Sequence, residues 1–154
     1  MYPDVLTVTE TWLSRNTSDT EVALPGYQIY RRDREYRQGG GIVVYVNEGL
    51  AVSENTTNFA CGTEAIWLTI KATGSPCLDV PTDYRPPRTD PIAETQLLEH
   101  LEKFIGRPNI MIMDDFNAPG TNWNTLQASG PKSAFDYRLM NKTLKASPTQ
   151  HVMF

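Results

Sequence analysis

The sequence predicts an α/β fold. Short β-branched or apolar runs recur at Asp4–Thr9 (DVLTVT), Ile42–Val46 (IVVYV) and Asn109–Met113 (NIMIM), each of strand length. One amphipathic helix is clearly signalled from Asp90-Pro91 onward, and it is followed at once by NIMIM, a helix-then-buried-strand succession. With 154 residues, of which 34 are Val, Ile, Leu or Phe, the chain has the length and apolar content of one folded domain spanning 1–154.

Taken in order, DVLTVT reads as a buried strand that runs directly into Glu10-Thr11-Trp12-Leu13. Leu24-Pro25-Gly26-Tyr27 is a turn, and Tyr27–Arg32 is the strand after it. Gly39-Gly40-Gly41 then separates that strand from Ile42–Val46, which Asn47-Glu48-Gly49 terminates, so these two strands make a hairpin. Glu64–Ala72 alternates Ala65, Trp67, Thr69 and Lys71 against Ile66, Leu68 and Ile70, the pattern of a half-buried strand. In the helix, Asp90 is the N-cap and Pro91 the first helical residue. Its apolar face comprises Ile92, Leu97, Leu98, Leu101, Phe104 and Ile105, and Gly106-Arg107-Pro108 stops it. A weaker helix covers Ala134–Lys145.

A net charge of −4, from 18 acidic and 14 basic residues, excludes a protein that holds nucleic acid by bulk charge. The one dense basic cluster is Arg31, Arg32, Arg34 and Arg37, interleaved with Asp33 and Glu35. It is either a solvated hairpin or a local contact for a DNA backbone. No run reaches the ~18 apolar residues of a membrane span, and the first residues lack a signal-peptide pattern, so a soluble intracellular protein without membrane partners is expected. Cys61 and Cys77 have neither C-x-x-C spacing nor a neighbouring histidine and read as structural thiols. The oligomeric state is not legible.

Three places carry candidate chemistry. Glu10 stands where a buried strand emerges, and a carboxylate there can hold Mg²⁺ through oxygen and water ligands, or simply cap the turn. In Asp114-Asp115-Phe116-Asn117, an aspartate can take a proton from water and an asparagine can donate to a phosphate oxygen, or the group can serve only as Asx turn chemistry. In Tyr84-Arg85-Pro86-Pro87, a phenol and a guanidinium precede two stiffening prolines; both groups recognise phosphate, although a rigid turn before the helix explains them as well. The glycine triplet lacks the Lys-Ser/Thr of a phosphate-binding loop and is assigned to hairpin geometry.

The order DVLTVTETWL, PGYQIYRRDREYRQGGGIVVYV, EAIWLTI, YRPP, MIMDDFNAPGTNW resembles the endonuclease/exonuclease/phosphatase superfamily, and within it the apurinic-type endonuclease domain of non-LTR retrotransposon (reverse transcriptase) polyproteins. The resemblance implies a four-layer α/β sandwich, two packed β-sheets flanked by helices, incomplete here at both termini. It implies that Glu10 binds the metal, Mg²⁺ or Mn²⁺, and that Tyr84 hydrogen-bonds the phosphate. Asp115 then orients or deprotonates the attacking water, and Asn117 stabilises the transition state. The parent reaction it implies is Mg²⁺-dependent hydrolysis of a DNA phosphodiester, in the nucleus, with DNA as partner. A phosphatase or RNA nuclease of the same superfamily is the alternative reaction.

Departures from the resemblance matter equally. The family's opening strand, its late aspartate and its closing Ser-Asp-His block have no counterpart in the chain, so the 154 residues are expected to be inactive as written, a decayed fragment with at most weak nucleic-acid binding through Arg31 to Arg37. Asp114 replaces a glycine and brings a second carboxylate beside Asp115, disfavouring ionisation of both. Leu78–Asp83 (LDVPTD) occupies the place of an apolar central strand, and Pro81 makes it read as a decayed one.

Overall fold

In a computed structural model, which describes residues 2–35, 39–58 and 64–146, DVLTVT and IVVYV become strands of one of two antiparallel sheets. The first sheet has the order β1-β3-β2, with β1 Val5–Thr9, β2 Tyr27–Arg32 and β3 Ile42–Asn47. Residues Ile42 to Val46 of β3 are buried on both faces, which is why this strand is continuously apolar rather than alternating. The second sheet places β5 (Glu64–Lys71) between β4 (Ala51–Glu54) and β6 (Leu78–Tyr84).

The sheets pack through Ile42, Val44 and Val46 from the first and Ile66, Leu68, Ile70, Val80 and Tyr84 from the second. The two-residue period of β5 sends Ala65 and Trp67 to the opposite face, where Phe104 of helix α1 (Pro91–Ile105) covers them. Helix α2 (Phe135–Ala146) lies against α1 through Phe135 and Leu139. The outer side of the first sheet carries irregular chain with a 3₁₀ turn at Asp19–Glu21, fastened where Tyr45 Oη donates to Val22 O at 2.7 Å. A second 3₁₀ turn lies at Thr56–Asn58, and a two-stranded ribbon pairs β7 (Thr121–Asn122) with β8 (Gln127–Ala128). The α/β class is therefore as the sequence predicts, with two packed sheets and helices outside them.

The helix start is also as read: the Asp90 carboxylate accepts from the amides of Ile92 (2.9 Å) and Ala93 (3.1 Å), with Pro91 in the first turn. Ile92 is a correction. It is 71% exposed, because the buried stripe runs through Ala93, Leu97, Leu98, Leu101 and Phe104. A residue five positions before Leu97 lies about 140° around the helix from it.

Two strand assignments also change, for one shared reason. LDVPTD is not decayed: β6 pairs with β5 along its length, from Leu78 opposite Ile70 to Tyr84 opposite Glu64. NIMIM and the two residues after it dock parallel on the other side of β6 but form only isolated bridges, Asp79 with Ile110 and Tyr84 with Asp115. The ladder runs Asp79 N to Asn109 O (2.9 Å), Met111 N to Asp79 O (2.9 Å), Met113 N to Pro81 O (3.1 Å), Asp115 N to Asp83 O (3.1 Å) and Arg85 N to Asp115 O (2.9 Å). Continuing it would require donation from residues 81 and 83. Pro81 has no N–H, and the Asp83 N–H is diverted to Asp114 Oδ1 at 2.6 Å. The expected strand is thus a docked segment, with the donors at 81 and 83 withheld and those at 79 and 85 made.

Cys77 is exposed and free; Cys61 and Arg37 lie outside the described residues. No helix among the described residues is long and apolar enough to cross a membrane.

Candidate active site

Strand β1 ends in a turn that reverses its backbone hand twice, with Glu10 at φ 52° and Trp12 at φ 56°. Non-glycine residues seldom adopt this region, so something must hold them there. The glycine triplet does so: Thr11 N donates to Gly41 O (3.4 Å) and Trp12 N to Gly40 O (2.9 Å). Gly41, at φ 92°, lies so close that a Cβ would stand 2.5 Å from Thr11 Oγ1, and one on Gly40 would stand 2.5 Å from the Arg34 guanidinium carbon. Hairpin geometry therefore explains only part of the triplet, whose other task is to receive the Glu10-Thr11-Trp12 turn.

Tyr84 reaches this turn from the end of β6. Its ring is 2% exposed, and its hydroxyl donates to Glu10 Oε1 at 2.6 Å. Burial first, then the hydrogen bond to and the charge of Glu10, push the phenol up to about 12, so it remains a hydrogen-bond donor at neutral pH. The Arg34 guanidinium lies 5.7 Å from the Tyr84 ring centroid and opposes that shift. Arg34 is itself fixed by Glu64, whose other oxygen accepts from Gly41 N.

Asp115 approaches from the segment docked on β6. Thr9 Oγ1 donates to its Oδ2 at 3.2 Å and Asn117 N to its Oδ1 at 3.3 Å. Since Thr9 precedes Glu10, these contacts bring the two carboxylates to one place where the first sheet meets the edge of the second. Asn117 has φ 44°, and its Nδ2 donates to Arg85 O at 2.7 Å. Arg85 is 8% exposed and turned inward: Nη1 donates to Asn117 O (2.9 Å) and Phe116 O (3.3 Å), Nη2 pairs with Glu94, and the guanidinium sits 4.0 Å over Phe135. The Tyr84-Arg85 pair thus divides its work, the phenol facing the site and the arginine bracing the loop that carries Asn117.

Asp114 points away from this cluster to the Asp83 amide. Its carboxyl is held well above the ordinary range, by burial first, then by the charge of Asp83, with Asp115 contributing less. The arginines do not form one patch. Arg31 pairs with Asp33 (2.7 Å) and Asp19 (3.1 Å) and donates to Ser14 O (3.0 Å), while exposed Arg32 follows it on a strand whose successive side chains face opposite ways. Arg34 belongs to the Tyr84 group. Thr9 and Glu64 were not singled out from sequence; a threonine in a β-branched run and a glutamate opening a strand carry no local signal of a distant partner.

Among the described residues, no group of three or more His, Cys, Asp or Glu side chains gathers as a metal cage. Mg²⁺ does not require one, being held commonly by one or two carboxylates with water and substrate phosphate. The exposed Glu10 carboxylate, a hard oxygen donor sharing one oxygen with Tyr84, fits Mg²⁺ or Mn²⁺.

Two sheets packed face to face with helices outside them are an α/β arrangement that this chain shares with solved structures of nuclease and phosphatase domains. Among solved structures, the endonuclease domain of TRAS1, a telomere-specific non-LTR retrotransposon, matches with a TM-score of 0.62 at 14% identity over 93% of this chain and 58% of its own. ANGEL2, a 2′,3′-cyclic phosphatase, solved in complex with adenosine-2′,3′-vanadate, matches with a TM-score of 0.54 at 19% identity over 77% of this chain and 41% of its own. The chain therefore spans less than two thirds of either, and likeness at these identities establishes the fold alone. No protein-family model and no curated protein matches the sequence.

Proposed function

We propose that this chain is the site-bearing part of a nuclease domain whose reaction is Mg²⁺- or Mn²⁺-dependent hydrolysis of a DNA phosphodiester. The observation that carries the reading is the pair of contacts from Tyr84 Oη to Glu10 and from Thr9 Oγ1 to Asp115, which join a metal-capable carboxylate, a phenol, a second carboxylate and the Asn117 amide. Glu10 would hold the cation, which when bound supplies positive charge opposite the developing negative charge of the phosphoryl group. Tyr84 stays protonated, and its single O–H, given to Glu10 Oε1 here, would turn to a phosphate oxygen once a cation occupies that carboxylate. Asp115, oriented by Thr9, accepts the proton of the attacking water. Asn117 keeps a second Nδ2 hydrogen to offer to a phosphate oxygen. Of the arginine cluster, exposed Arg32 and the Arg34 guanidinium beside the Tyr84 ring would meet the polyanion. The fold match to ANGEL2 supports a second reading, a phosphatase acting on a 2′,3′-cyclic phosphate.

Nicking of supercoiled plasmid in Mg²⁺, with EDTA as control, tests the reaction in a polypeptide carrying this chain within a domain of the length of the TRAS1 endonuclease. Asp115→Asn is expected to lower nicking by about 10²-fold or more. Equal nicking by that variant would contradict the role of Asp115, and hydrolysis of a cyclic nucleotide without nicking would favour the phosphatase. The 154 residues alone are expected at background, since each preorganised donor supplied by the rest of such a domain is worth ~10²–10³ in rate.

A further inference from the structure

We propose that Trp12 is a stacking platform for an unpaired nucleobase beside the phosphate position, an inference that rests on the phosphodiester reading above. Single exposed aromatic residues are common on protein surfaces and need no ligand to explain them. What distinguishes Trp12 is its backbone. It is 63% exposed yet held at φ 56°, a conformation that strains a bulky residue and that burial of the ring does not repay. Glycine or asparagine would satisfy this turn at lower cost.

The surroundings give the ring a direction. The six-membered ring of the indole packs on Gly39, whose missing Cβ would be 3.6 Å from its nearest ring atoms, while the residue as a whole stays 63% exposed. The next residue, Gly40, carries the Arg34 guanidinium, and Arg34 lies over the ring of Tyr84. Consecutive Cα atoms are about 3.8 Å apart, so an exposed aromatic ring and a cation are held by neighbouring residues, Gly39 and Gly40. Arg34 Nη2 is buried and has no hydrogen-bond partner, leaving a donor beside the phenol assigned to the phosphate. A nucleotide meets both features at once, its base against the indole and its phosphate toward Arg34 and Tyr84. A small phosphate ester would use only the second. The ligand class this selects is a nucleic acid with a base free to leave its stack, as in a single strand or a distorted duplex.

The test is fluorescence anisotropy in Mg²⁺ with a labelled single-stranded deoxyoligonucleotide of about ten nucleotides, a length within the usual range of one such binding site, and with its fully paired duplex. Trp12→Ala is expected to weaken single-strand binding by roughly 5- to 150-fold, the loss of one stacked base, and to change duplex binding by less than about two-fold. Trp12→Phe, which retains a ring, is expected to recover most of the loss. Trp12→Gly separates binding from architecture: it should lose single-strand affinity as Trp12→Ala does while its thermal midpoint stays level or rises, because glycine relieves the strained φ. Single-strand binding by Trp12→Ala within about two-fold of the unsubstituted chain would overturn the inference alone. Absence of binding to either oligonucleotide would overturn the phosphodiester reading, and the inference with it.

Discussion

Asp114 shows how one side chain alters both a strand and a titration. Its carboxylate takes the Asp83 amide that the ladder would otherwise use, and burial together with Asp83 raises its pKa well above 3.8. A carboxyl raised in the folded state gives stability that is complete below the unfolded pKa and lost as pH rises through the folded one. Asp114→Asn keeps the acceptor oxygen and removes the charge, so it should raise the thermal midpoint at pH 7–8 by of the order of 2–5 °C, with the gain shrinking toward pH 4. A gain independent of pH would show that Asp114 does not titrate in this range. The sequence made Asp114 conspicuous, and its effect on Asp115 was the expected consequence. The larger partner proves to be Asp83, which only the pairing of β6 with the docked segment reveals. Glu10, Tyr84, Asp115 and Asn117 were legible as residue types at strand ends. Thr9, which holds Asp115, and Glu64, which holds Arg34 and Gly41 beside the cluster, were not, because their partners Asp115 and Gly41 lie 106 and 23 residues away.

At the scale of elements, amphipathic period and end signals made helix α1 and the strand β3 readable without knowledge of their neighbours. NIMIM and LDVPTD were not readable in this way, because each depends on the other. A proline marks a missing donor, but the sequence does not say toward which neighbour that donor would have pointed. Here it points to the docked segment, since Pro81 O accepts from Met113 on that side while Pro81 remains opposite Trp67 in the β5 pairing. Pro81→Val should therefore restore a bond to Met111 O and stabilise the chain by about 0.5–1.5 kcal/mol. Hydrogen exchange would show new protection at residue 81, with residues 109–115 slowing together. Exchange unchanged along 109–115 would mean that the missing donor is not what interrupts the strand.

Over the whole molecule, the site sits at the seam between the sheets rather than within either one. Thr7 Oγ1 meets Met113 Sδ at 3.6 Å and Thr9 Oγ1 meets Asp115 at 3.2 Å, so β1 of the first sheet and the edge of the second are joined through the groups that carry the proposed chemistry. Loosening of either sheet displaces the cluster, which couples its geometry to the stability of the fold. Two packed sheets were implied only by the family resemblance that the ordered motifs carry, whereas the seam contacts are long-range and leave no local pattern. The central claim is that Glu10, Tyr84 and Asp115 share one cation-binding cluster, and titration of the ¹⁵N-labelled chain with Mn²⁺, followed by paramagnetic broadening of its amide resonances, tests it without requiring turnover. The account predicts selective broadening at Thr9 to Trp12, Gly40 to Gly41, Tyr84 to Arg85 and Asp115 to Asn117, abolished by Glu10→Ala and relieved by excess Mg²⁺. Broadening centred elsewhere, or left intact by Glu10→Ala, would contradict it.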